Sequence, residues 1–140
     1  MRRSISHYLI LPALFALASA ACSDDITTIP IDPTPVTPTT DTFDGTINPN
    51  GGATHTFATA RAGAVTVTLN SLSPDDTVTV GLSLGTWNGE SCQAVIARDS
   101  TVAGNSIVGS ASAAGFLCVR VYDVGKLAAA TSYVVQAVHP

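Results

Sequence analysis

Positive charge is scarce in this chain: six Lys and Arg stand against ten Asp and Glu over 140 residues. This acidic balance excludes nucleic acid as a partner, because phosphate binding needs a basic footprint. Long apolar runs are also missing. The longest, Tyr8–Ala18, holds about eleven residues and is broken by Pro12, whereas a membrane-spanning helix needs about 20. Aromatics are few, with a single Trp at position 87. The three cysteines, Cys22, Cys92 and Cys118, have no zinc-type spacing to a His or to one another. Helix signals are nearly absent, and Val124–Ala130 is the one short candidate.

What is present begins with an export signal. Met1-Arg2-Arg3 carries positive charge, the apolar run follows, and Ser19-Ala20-Ala21 precedes Cys22. This reads as a secretory signal peptide over residues 1–21. Ala20-Ala21-Cys22 resembles the lipobox of bacterial lipoproteins. The resemblance implies that Cys22 becomes a lipidated N-terminus and holds the protein to a membrane. Ser23 stands where Asp would favour inner-membrane retention in enteric bacteria, which implies the outer membrane, periplasmic or surface facing. Ordinary cleavage after Ala20, where Ala18-Ser19-Ala20 forms an A-x-A site, is the alternative. If Cys22 carries lipid, Cys92 and Cys118 are left to pair as a disulfide in an oxidising compartment. Cleavage before Cys22 also removes Arg2 and Arg3. Four Lys and Arg then face ten Asp and Glu, a net charge of −6 over 119 residues.

Residues 22–41 form a Pro/Thr-rich linker. Pro30, Pro33, Pro35 and Pro38 are too frequent for a helix or an inner strand. A disordered or extended tether of this kind lifts a domain up to roughly 50 Å from its anchor. From Thr42 the texture changes to alternation, and residues 42–140 read as one β domain. Strands are expected at Thr42–Asn48, Ala53–Ala60, Ala64–Ser71, Thr77–Leu84, Cys92–Arg98, Asn105–Ser112, Gly115–Asp123 and Thr131–His139. Thr86–Ser91 reads as a polar loop carrying Trp87. Eight short strands with frequent turns predict an all-β fold, an antiparallel two-sheet β-sandwich of jelly-roll type. The inward side chains are expected to be Phe57, Val65, Val67, Leu69, Val78, Val80, Leu82, Leu117, Val119, Val121, Tyr133 and Val135.

Several elements combine here: Phe43-x-Gly45, a turn ending in Gly51-Gly52, then His55-Thr56-Phe57 and Gly63-x-Val65-x-Val67-x-Leu69. Gly115–Asp123 and a last strand with Tyr133 complete the set. Over residues 42–139 the chain resembles the bacterial pre-peptidase C-terminal domain and its free-standing relatives. That resemblance implies a secreted, jelly-roll-like module without catalysis, serving adhesion, substrate binding or maturation.

Three constellations bear on chemistry. Gly81-Leu82-Ser83-Leu84-Gly85 matches the G-x-S-x-G nucleophile pattern, with Asp99 or Asp123 and then His139 in hydrolase order. The pattern needs a strand–turn–helix, and here it continues a strand, with Leu82 and Leu84 inward and Ser83 toward solvent. His139 also lies one residue from the C-terminus, where chains fray. Asp75 and Asp76, with Asp41, Asp44, Glu90 and Asp99, are oxygen donors of the type calcium takes, and no EF-hand spacing organises them. Solvated acidic turns are the plainer reading, with calcium at Asp75 and Asp76 the other and no further cofactor expected. Trp87, beside Asn88 and Glu90, is either a ring for stacking on a sugar or anchoring a protein partner, or a cap on the core. Arg120 is either a ligand contact or, the plainer reading, a solvated outward side chain alternating with Val119 and Val121. The expected function is a lipid-anchored binding or adhesion module of the cell envelope, with a carbohydrate or envelope protein as partner. The alternatives are a small serine hydrolase using Ser83 and a purely structural envelope lipoprotein.

Overall fold

The computed structural model describes residues 37–140. The expected signal peptide, Cys22 and linker residues 22–36 lie outside the described residues. Eight strands follow in order: β1 (Thr39–Ile47), β2 (Gly52–Thr59), β3 (Gly63–Ser73), β4 (Val80–Trp87), β5 (Cys92–Thr101), β6 (Ser106–Ala111), β7 (Gly115–Tyr122) and β8 (Thr131–His139). Among the described residues there is no helix, and 124–130 form a loop.

Four antiparallel pairs, β1–β8, β2–β7, β3–β6 and β4–β5, make the chain one long hairpin bent back at residues 88–91. Two further pairings, β3–β8 and β4–β7, wind that hairpin into a sandwich. The sheets run β1-β8-β3-β6 and β2-β7-β4-β5. This is the jelly-roll order, so the all-β two-sheet expectation holds.

Period-two alternation builds the core. Val65, Val67 and Leu69 of β3, Leu82 and Leu84 of β4, Val119 and Val121 of β7, and Tyr133, Val135 and Ala137 of β8 are all buried between the layers. Their removal from water drives the sandwich together. Of the expected inward residues, Val78 and Leu117 are half-buried at the rim and pack against the core rather than inside it. In β3 the alternation breaks at a bulge between Leu69 and Ser71, which turns Leu72 inward in place of Ser71.

Other expectations need correction. β1 begins at Thr39, so the linker ends earlier than position 41. Trp87 is the last residue of β4, not a loop residue. His139 is not frayed: it pairs with Thr39 in the β1–β8 ladder, is 3% exposed, and contacts Asp41 with Nε2–Oδ2 at 3.1 Å. Its ring packs on Phe57 with centroids 4.9 Å apart. Ser83 is on the outer face as alternation requires, yet it is 3% exposed rather than solvated.

Candidate functional site

Ser83 is buried, and the glycines on either side of it mark where neighbouring groups press onto β4. Gly81, Ser83 and Gly85 alternate along the outer face of β4. The Tyr122 ring lies where a Cβ at Gly81 would stand, and the Gln93 carbonyl lies where a Cβ at Gly85 would stand. Strands β7 and β5 flank β4, so a flat sheet would hold them nearly 10 Å apart, two strand spacings of about 4.8 Å. Yet Cys118 of β7 and Cys92 of β5 are disulfide-bonded with Cα atoms 5.7 Å apart. The start of β5 therefore curls over β4 at Gly85, where the ladder carries a bulge between Leu84 and Gly85. The tip of the β4–β5 hairpin is folded onto the outer face of its own sheet and stapled there. The expected Cys92–Cys118 disulfide is present, and its role is that of a clasp.

Trp87 sits on this tip, opposite Cys92 in the ladder. It is half-buried and stands outside the core cluster. Two shallow depressions meet at it. One, of about 460 Å³, is lined by Thr56, Trp87, Asn88, Gly89 and Phe116. The other, of about 360 Å³, is lined by Gly52, Thr54, Trp87, Glu90, Ser91, Cys92 and Arg120. Phe116 is 63% exposed, unusual for a ring with no covering partner. The three residues expected from the sequence, Trp87, Asn88 and Glu90, are thus together on the rim. Asn88 has a structural task as well: its Oδ1 accepts the N–H groups of Glu90 (2.9 Å) and Ser91 (2.8 Å), which fixes the loop.

Thr54, Thr56 and Phe116 belong to the same face and were not among the expected site residues, and Arg120, whose plainer reading was a solvated side chain, lies there too. Arg120 does face outward, and its guanidinium carbon lies 5.4 Å from the centroid of the Tyr122 ring. The Tyr122 hydroxyl donates to Asp99 Oδ1. Burial and that bond push the Tyr122 phenol up to about 12, so it stays a neutral donor.

Asp75 and Asp76 precede β4 while Trp87 ends it, so they are not neighbours: the strand between them spans about 23 Å at roughly 3.3 Å per residue. Asp75 Oδ1 accepts from the Thr77 amide (2.9 Å) and hydroxyl (2.7 Å), and these bonds lower its carboxyl below the usual range. Among the described residues no three His, Cys, Asp or Glu side chains converge as a metal site would require.

Nor does a base approach Ser83. His55 Nε2 is 2.7 Å from the Tyr133 hydroxyl of the opposite sheet, and His139 packs on Phe57. Both rings occupy the space between the layers, with the sheet itself separating them from Ser83. Asp123 closes a different structure, accepting the backbone N–H of Asn50 (2.7 Å), Lys126 (2.8 Å) and Leu127 (3.1 Å).

No family model matches this chain, and no curated protein matches it. Among solved structures it is similar to Aeromonas hydrophila PliG, described as a periplasmic lysozyme inhibitor of g-type lysozyme. The two are 13% identical, with a TM-score of 0.49, over 71% of this chain and 84% of that one. A likeness of that strength says nothing of ligand or role.

Proposed function

We propose that this protein is an exported, non-catalytic binding module of the cell envelope. Its ligand lies against the outer face of β2-β7-β4-β5, beneath and beside the clasped Trp87. The observation that carries this reading is the pairing of Trp87 with the 63%-exposed Phe116 along two adjoining depressions on a rigid sheet. Aromatic platforms held at low entropic cost serve sugar rings and protein anchors alike. The hydroxyls of Thr54, Thr56 and Ser91 and the Glu90 carboxylate supply hydrogen-bond partners around them. Absence of catalysis is supported by Ser83, covered on one face while both described imidazoles lie on the other. Export and the Cys22 lipid anchor rest on the signal-like N-terminus, and the kinship with pre-peptidase C-terminal domains on the motifs of residues 42–139; both are part of the proposal.

Trp87→Ala tests the site. It is expected to weaken capture of envelope glycans or proteins at least tenfold while the melting temperature stays within a few degrees. A large loss of stability with capture unchanged would return Trp87 to the core.

A further inference from the structure

Resting on that reading, we infer that the Arg120 end of the site selects a carboxylate-bearing sugar, a uronic-acid type of residue, over its neutral counterpart. Arg120 is exposed, and its guanidinium is placed by two neighbours. One face lies over the Tyr122 ring at 5.4 Å, and that ring is itself seated on Gly81. On the β2 side, Nε lies 3.3 Å from where a Cβ at Gly52 would be, so the absent side chain makes room for the arginine to lie flat. The Tyr122 hydroxyl also donates to Asp99, which occupies that carboxylate. Among the described residues no carboxylate comes within ion-pair distance of Arg120, and the His139–Asp41 contact is the one ion pair.

A cation preorganised by stacking and left without an anion keeps its N–H fork free for a planar, bidentate acceptor. The surroundings name the rest of the ligand. Arg120 shares its depression with Trp87, Thr54, Ser91 and Glu90. These are a ring for the C–H face of a sugar, hydroxyls for its hydroxyls, and a carboxylate acceptor for a sugar O–H. The acidic side chain of a peptide would meet the same fork. It would leave the Trp87 face without a matching flat ring. The chain's net negative charge opposes an acidic ligand mainly at long range, where physiological salt screens it beyond about 8 Å.

The test is calorimetric titration of the mature chain with a galacturonic acid hexamer, its methyl-esterified form and hexaglutamate. The acid hexamer is expected to bind at least about tenfold more tightly than the ester, the usual scale of one charge-assisted hydrogen-bonded contact. Arg120→Gln should erase that difference and leave the weaker ester binding in place. Arg120→Lys, which keeps charge but loses the fork, should retain part of the preference. Unchanged melting temperatures and an intact Trp87 fluorescence spectrum keep both variants interpretable. Equal, Trp87-dependent binding of acid and ester would overturn the inference and leave the binding face standing. Hexaglutamate binding as tightly as the sugar acid would overturn it in favour of an acidic peptide. No saturable binding of either sugar, with Trp87 fluorescence unmoved, would overturn it together with the sugar form of the reading beneath it.

Discussion

Gly85 shows how one residue can be read two ways. In the sequence, Gly81-x-Ser83-x-Gly85 has the outline of a nucleophile elbow. In the fold its glycines are contact points, Gly81 under the Tyr122 ring and Gly85 under the β5 backbone. Gly85→Ala would press a methyl group onto the Gln93 carbonyl, which cannot rotate away as a side chain would. The expected cost is about 1–3 kcal/mol, the range for overpacking, measured by chemical denaturation. An unchanged midpoint would contradict the curl of β5 over β4. The sequence already argued against the elbow, because the alternation of Val80, Leu82 and Leu84 runs through it without a helix behind. What packs onto Gly81 and Gly85 was not legible, since Tyr122 arrives from β7, far along the chain, and Gln93 reaches Gly85 only through the curl of β5.

Among the elements, the β4–β5 hairpin sets this protein apart from a plain sandwich. Period-two patterning served strands such as β3 and β8, which bury one face so that a single-residue slip would invert them, whereas β4 is buried on both faces and β5 is largely exposed. It missed the places where that rule is locally broken. The bulge after Leu69 brings Leu72 inward, and the bulge at Gly85 lets β5 climb over β4. Trp87 read as a loop residue because the polar Thr86-Trp87-Asn88-Gly89-Glu90 stretch hides the end of a strand. The disulfide fixes the climb. With 26 residues of separation, replacing both cysteines by Ala is expected to lower stability by roughly 3–4 kcal/mol. It should also free the hairpin tip, so that Trp87 fluorescence shifts to the red and ligand capture is lost even where the core stays folded. Retained capture in the double variant would show that the clasp does not shape the site.

For the whole molecule, the ionisable groups define a window of stability. Burial between the sheets lowers the His55 imidazole, with Asp44 partly opposing. The unfolded chain therefore takes up a proton near 6.5 before the fold does, and stability falls as pH drops below that value. Asp123, lowered by the Asn50 amide and then those of the 125–127 loop, and Asp75, lowered by Thr77, contribute above their unfolded value of 3.8 and stop contributing as pH falls through their folded ones. On the alkaline side, burial and Asp99 hold Tyr122 protonated up to about 12, a contribution complete below 10 and lost above it. Thermal melts across pH should show a plateau from about 6.5 to 10, an acid decline in two stages, and no first stage in His55→Gln. A melting temperature that rises between pH 6.5 and 5 would contradict the account of the seam between the sheets. The central claim is that the clasped outer face of β2-β7-β4-β5 is the binding surface. The most direct test is a heteronuclear NMR titration of the protein with oligosaccharide fragments, galacturonic acid oligomers among them. The account predicts saturable shifts at Thr54, Thr56, Trp87, Glu90, Phe116 and Arg120, with Thr42, Thr66 and Gln136 of the other sheet silent. Saturable shifts centred on that other sheet, or none at Trp87 and Phe116, would contradict it.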